Sequence, residues 1–184
     1  MDSEIMRGLQ RPLTAAQIEF RVQSVSKKGF AVLLAYKDAR VDMQRLDEVV
    51  GPLNWKREHT RDNRNCIVSI WDDGKSQWVS KEDTGTESNT ESEKGLASDS
   101  FKRACFNWGI GRELYDFPSM IVKLNDDEWE LPTGQQRPRT TWNFRLRDWD
   151  WYIEHDDAGR PSFIAGRDNN QKVRFKWGVR RGSA

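Results

Sequence analysis

The sequence predicts an α+β fold: a β-β-β-α core in which an antiparallel meander packs on a long helix. Three observations carry that prediction. Residues 54–83 contain three strand-like runs separated by turn-forming residues, the stretch that follows has helical periodicity, and a hairpin and helix precede both. At 184 residues the chain is long enough to bury roughly 70% of its unfolded surface in a core of its own. The expected division is a core domain over residues 1–118 and a small basic β-rich extension over 119–184.

In chain order, Thr14 and Gln17 have the spacing of a capping box, which predicts a short helix over 13–19. Residues 20–25 and 30–36 are rich in β-branched and aromatic side chains. The intervening Ser-Lys-Lys-Gly joins them as a hairpin. Asp38 can then cap a helix whose Ala39, Met43, Leu46 and Val50 recur on one face. Gly51-Pro52 closes it and leaves Arg40 and Arg45 off the apolar stripe. Strands are predicted over 54–61, 65–72 and 76–83, with turns at 62–65 and a tight hairpin turn at Asp73-Gly74. In the middle strand Cys66, Val68 and Ile70 alternate with Ile67, Ser69 and Trp71, a pattern expected of a strand buried on much of both faces.

The next helix organises the chain. Thr90 and Glu93 form a second capping-box spacing, so the helix is predicted to begin near Thr90. Ala97, Phe101, Ala104 and Trp108 make one apolar stripe, and Gly109 and Gly111 end the helix. Lys102, Arg103 and Phe106 fall on the opposite side with Asp99. Two cations beside a ring can offer charge to a phosphate and a stacking face to a base. A solvated polar face is the plainer reading of the same residues. Beyond Gly111, residues 120–124 are strand-like. Trp142, Phe144 and Leu146 alternate with Asn143, Arg145 and Arg147, as Val173, Phe175 and Trp177 do with Lys172, Arg174 and Lys176. Each run predicts a strand with one apolar and one basic face, and residues 156–161 and 168–171 predict turns.

Net charge is only +1, yet from Arg137 onward eleven Lys or Arg stand against six Asp or Glu, which leaves residues 1–136 at −4. Cys66 and Cys105 lie far apart with no metal-binding spacing, and no signal-like start is present, so a reducing cytoplasm is expected. No apolar run reaches the roughly 18 residues that span a bilayer. There is no phosphate-binding loop, and His59 and His155 have no nucleophile motif beside them. Glu82, Asp83, Glu87, Glu91 and Glu93 span a strand end, a loop and a helix start, so their convergence on a metal is unforced, and the helix dipole already accounts for those near its start. The chain is therefore expected to be no enzyme and to need no cofactor.

Tyr36-Lys-Asp-Ala-Arg40, Gly51-Pro-Leu-Asn-Trp55, Glu82-Asp-Thr-Gly85, and Glu93 through Ala104 followed by Trp108-Gly109 together resemble the Rad-fifty-two family of single-strand annealing proteins, the short phage and bacterial members above all. The likeness covers residues 14–118. It implies homo-oligomeric rings or helical arrays with single-stranded DNA in an outer positive groove. Lys102 and Arg103 would line that groove, with Arg40 joining from the preceding helix. The family often has a further arginine where this chain has Phe106, and a second DNA site near a hairpin tip, where Lys75 stands. With Arg45 and Arg112 these residues complete the expected DNA-binding set. Implied partners are single-stranded DNA, the annealed duplex intermediate, further copies of the chain and a single-strand-binding protein. The leading expectation is ATP-independent annealing of complementary strands in homologous recombination. The alternatives are a module that binds and protects DNA ends without annealing, and a basic strip that serves as a subunit interface.

Overall fold

A computed structural model describes residues 3–86, 92–134 and 137–181. In chain order its elements are α1 (Ser3–Gln10), β1 (Glu19–Val25), β2 (Phe30–Tyr36), α2 (Ala39–Val50), β3 (Trp55–Thr60), β4 (Asn65–Asp72), β5 (Gln77–Thr84), α3 (Ser92–Asn107), β6 (Met120–Lys123), β7 (Trp129–Glu130), β8 (Arg139–Thr140), β9 (Asp150–His155), β10 (Pro161–Arg167) and β11 (Val173–Gly178). The class is α+β, with the predicted β-β-β-α order in β3, β4, β5 and α3.

Contacts divide the chain into two units, Met1–Pro12 with Asp38–Arg112, and Leu13–Lys37 with Glu113–Ala184. The expected boundary at 118/119 follows chain order, whereas these units interleave. The reason is a hydrogen-bonded pairing: β2 lies between β1 and β6, with Phe30 opposite Lys123 and Leu33 opposite Met120. That pairing groups the early hairpin with C-terminal residues.

In the first unit β4 is the central strand, flanked by β3 and β5, and it is buried along most of its length as its sequence predicts. Cys66, Val68 and Ile70 supply one face of the core. Phe101, Ala104 and Cys105 of α3, and Trp108 just past its end, pack onto it with Leu9 and Leu46. Trp108 satisfies its buried indole N–H on the Val68 carbonyl at 3.0 Å, tying helix to strand. The predicted stripe therefore meets the core through Phe101, Ala104 and Trp108, with Leu96, Ser100 and Cys105 widening it and Ala97 only half-buried. Both cysteines are free and buried, and burial pushes the Cys66 thiol up to about 11. The capping residue Thr90 and the loop acids Glu87 and Glu91 lie outside the described residues, as does the Glu93 side chain.

Several local expectations change. The hairpin between β4 and β5 is a four-residue loop closing at Asp72 and Gln77. Its left-handed residue is Ser76 at φ 49°, not Gly74, so the tight Asp-Gly turn does not form. The helix expected over 13–19 contracts to one 3-10 turn, Ala15–Gln17, because β1 begins two residues later. The Thr14 amide still donates to Gln17 Oε1 at 3.1 Å. Helix α1 has no counterpart in the sequence reading, and it runs unbroken through Gly8. That glycine is where α1 meets α2: a Cβ there would sit 2.9 Å from Val49 Cγ1.

The second unit contains two three-stranded sheets, β1-β2-β6 and β9-β10-β11. They share one core, formed by Leu33, Met120 and Val122 from the first and Ile164 and Phe175 from the second, with Phe144 and Trp149. Phe20 stacks on Trp151 at 3.7 Å between centroids, and Trp151 stacks in turn on Trp149 at 5.6 Å. The strand predicted through Trp142–Leu146 is a turn followed by the 3-10 segment Leu146–Asp148. The basic face predicted for the last strand also fails at one position. A register shift opposite Arg167 turns Arg174 inward, where 5% of its side chain is exposed. There it meets Glu128 at 2.7 Å and Asp168 at 3.3 Å, under the ring of Trp149.

Because the α1–α2 contact leaves no room for a methyl group, Gly8→Ala is expected to lower the unfolding free energy by about 1 kcal/mol, although alanine ordinarily stabilises a helix interior. Urea denaturation of the two chains measures the sign.

Candidate nucleic-acid interface

Lys102, Arg103 and Phe106 sit half-buried on the face of α3 opposite the core, with Asp99. Each has a different restraint. Arg103 Nε donates to Asp99 Oδ2 at 3.0 Å, an i,i+4 pair along the helix. Among the described residues no hydrogen bond or ion pair within contact distance holds the Lys102 ammonium. Its field nevertheless reaches both Asp99 and Asp38 and lowers both carboxyls. Phe106 gives its carbonyl to Arg112, which donates through Nε at 3.0 Å and through its terminal nitrogen at 2.8 Å.

Asp38 links this face to the preceding helix. It caps α2 by accepting from the Arg40 amide at 2.8 Å and pairs with the Arg40 guanidinium at 3.0 Å. The Arg40 amide is the first cause of the lowered Asp38 carboxyl, followed by the Arg40 side chain and then Lys102. Arg40 is 85% exposed. Arg40, Lys102 and Arg103 therefore form one cluster with two carboxylates between them.

The end of β5 is seated against the same helix. Gly85 approaches so closely that a Cβ would lie 2.8 Å from the Ser100 nitrogen and 2.9 Å from the Leu96 carbonyl oxygen. The next residue, Thr86, donates its amide to Asp99 Oδ2 at 2.9 Å. Burial pushes the Asp99 carboxyl up, but the Thr86 amide, Arg103 and Lys102 together outweigh it and leave it below the usual carboxylate range. Glu82 and Asp83 are occupied in the same way. Glu82 accepts from Asn65 at 2.6 Å and Asp83 from Asn107 at 3.1 Å. Among the described residues no three His, Cys, Asp or Glu could hold a metal, and no helix is long and apolar enough to cross a membrane.

Three of the expected DNA contacts have other surroundings. Arg45 is buried rather than exposed: its Nη1 donates to the carbonyls of Gly8 at 3.2 Å, Leu9 at 3.4 Å and Arg11. The Leu9 carbonyl is an orphan acceptor at the end of α1, the Gly8 carbonyl is shared with the Arg11 amide, and Arg11 lies just past the helix, so Arg45 ties down the chain where α1 ends. Arg112 is exposed but fastens the last turn of α3 through the Phe106 and Asn107 carbonyls. Lys75 is exposed at the β4–β5 hairpin, away from the α3 cluster in sequence, and its amide closes the turn on Asp72 at 3.2 Å.

Two cations were not singled out by the sequence. Arg57, exposed on β3, lies 4.8 Å over the Phe101 ring. Lys81 on β5 donates to the Asn107 carbonyl at 2.6 Å and lies 4.8 Å over Trp108, and burial followed by the nearby Arg112 lowers its pKa. Period-two alternation placed both on the helix-facing side of the sheet, which is the signal that could have found them.

No protein-family model matches the chain, and no solved structure matches it. Two curated relatives do. A protein of Deinococcus deserti described as single-stranded DNA-binding protein DdrA is 31% identical over 150 residues, covering 74% of this chain and 74% of the relative. Its namesake in Deinococcus radiodurans is 29% identical over 150 residues, covering 74% of this chain and 72% of the relative.

Asp99 is ionised in the folded chain at pH values where the unfolded chain would protonate it. Its contribution to stability is therefore complete above about pH 4 and is lost as pH falls through the lowered pKa. The difference in unfolding free energy between the native chain and Asp99→Asn is expected to be clear at pH 7 and to shrink at pH 3, as urea titrations at both pH values would record. Arg45→Met is expected to cost about 1–3 kcal/mol for each carbonyl it leaves buried and unpaired, in the same assay.

Proposed function

Because the chain belongs to the family of the single-stranded DNA-binding protein DdrA, we propose that it binds single-stranded DNA through the outward face of α3, with Lys102 and Arg103 gripping phosphates and Arg40 extending the contact. The observation that carries this reading is the shared cluster. Cations from two helices act on Asp38 and two from α3 act on Asp99, with Lys102 common to both, on a surface that the core does not use. Phe106 stands one turn beyond Lys102 and is assigned the stacking contact, while Lys75 is retained as a contact at the hairpin tip. Arg45 is left out because its charge is spent inside the fold.

Further copies of the chain, in a ring or helical array, would join these short clusters into a continuous track. Phosphate contacts release counterions and position the strand without reading its sequence, so bases are left available to a complementary strand. Annealing then needs no ATP, since stacking contributes about 1.4 kcal/mol per base-pair step. The chain has the means to concentrate and extend strands, and pairing supplies the free energy. The reading as an end-binding module without annealing uses the same contacts. The two part at one measurement, namely whether complementary oligonucleotides pair faster with the protein than without it.

Lys102→Ala with Arg103→Ala is expected to leave fold and assembly intact, weaken binding to oligothymidylate by about tenfold or more at low salt, and reduce the slope of log affinity against log salt by about 1.4, two phosphates' worth on a single strand. Unchanged affinity and slope in a fluorescence-anisotropy titration would remove α3 from the interface.

A further inference from the structure

Trp142 is 84% exposed, the most exposed of the large aromatic side chains among the described residues, while Trp149, further along the chain, is buried. It is not on a frayed segment. Thr141 Oγ1 donates to the Asp127 carbonyl at 2.6 Å, Asn143 Nδ2 donates to the same carbonyl at 3.2 Å, and the Phe144 amide closes the turn on Thr141 at 3.3 Å. Phe144 and Leu146 then anchor the segment in the core of the second unit. The fold thus holds an indole outward on a rigid post, and nothing in its own unit covers it.

On one side the ring borders a groove with Arg145 and Arg147, and on the other it lines a polar cleft with Asp127, Asp148 and Asp168. Arg139, Arg145 and Arg147 flank it in sequence. Arg139 shares its charge with Glu130 at 2.6 Å and Arg147 shares with Asp148 at 3.6 Å. Arg145 donates Nε to the Trp142 carbonyl at 3.0 Å and has no carboxylate partner among the described residues. Beside the post, a groove of about 410 Å³ runs along β1, lined by Phe20, Val22, Thr140 and Phe144 together with Arg145 and Arg147. A flat exposed ring, a guanidinium held on the carbonyl of the same residue and a groove lined by two arginines are complementary to an unpaired base attached to phosphates.

We propose that the Trp142 turn is a second contact for single-stranded nucleic acid, a stacking post with Arg145 and Arg147 as its phosphate clamps, built in the unit that does not contain α3. The choice of nucleic acid as occupant rests on the family reading above; the site itself rests on the geometry of this turn. Stacking on an indole tolerates any base, so this contact adds affinity without sequence preference.

The test is anisotropy titration of labelled oligothymidylate with the full chain and with Trp142→Ala, Trp142→Phe, and Arg145→Ala with Arg147→Ala, each checked for assembly by size-exclusion chromatography. Trp142→Ala is expected to weaken binding by about 5- to 150-fold with assembly unchanged, and Trp142→Phe to recover most of the loss. The arginine double substitution is expected to lower the salt slope. Added to Lys102→Ala with Arg103→Ala, Trp142→Ala is expected to weaken binding by a similar factor again. Equal affinity for Trp142→Ala, failure of phenylalanine to restore it, or a loss that accompanies a change in assembly would overturn the proposal, the last by making the turn a contact between copies. A native chain that binds no oligothymidylate at all would instead overturn the family reading on which the choice of occupant rests.

Discussion

The structure of the first unit depends on one contact, the seating of α3 across β4. Trp108 fixes the register by donating to Val68, and Phe101, Ala104 and Cys105 fill the space over Cys66, Val68 and Ile70. Burying one side of the helix this completely determines which side remains. Lys102, Arg103, Phe106 and Asp99 project outward because the core has taken the other half of the helical circumference. The side chains proposed to bind are aimed by side chains buried in the core.

The exposed side is moderated rather than simply positive. Asp99 holds Arg103 and Thr86 together, and Asp38 does the same for Arg40 while feeling Lys102. Three cations and two carboxylates leave a small local excess. One such cluster suits a contact that forms and breaks readily, and cooperation between many clusters is what would make the total strong. The clamp of Gly85 against Ser100 and Leu96 serves this arrangement too, because it brings the Thr86 amide to Asp99.

Much of this was legible in the residues. The meander, the Asp38 cap, the Phe101–Ala104–Trp108 stripe and the outward Lys-Arg pair all follow from local periodicity, and the periodicity was obeyed because helix and sheet each had one face to bury. The misreadings share a cause, a tertiary contact invisible to a local pattern. Helix α1 was not read from the sequence at all, and its Gly8 is a point of close helix approach. Arg45 lay off its helix's apolar stripe, yet a second helix ends against it and needs its donors. Alternation in 142–147 suggested a strand, but Thr141 and Asn143 bond to Asp127 and draw the backbone into a turn. A single register shift opposite Arg167 was enough to convert Arg174 from a surface cation into half of a buried ion pair.

The interleaving of the two units bears on how such a chain can be shortened over evolutionary time. A stop after residue 112 would keep the β1–β2 hairpin but delete β6, exposing the backbone donors and acceptors of β2 along a hydrophobic edge that invites aggregation. Loss of the C-terminal half is tolerable only when the early hairpin is lost or re-covered at the same time. Viable deletions in this lineage are therefore expected to arrive as matched pairs, far apart in the gene and adjacent in the fold.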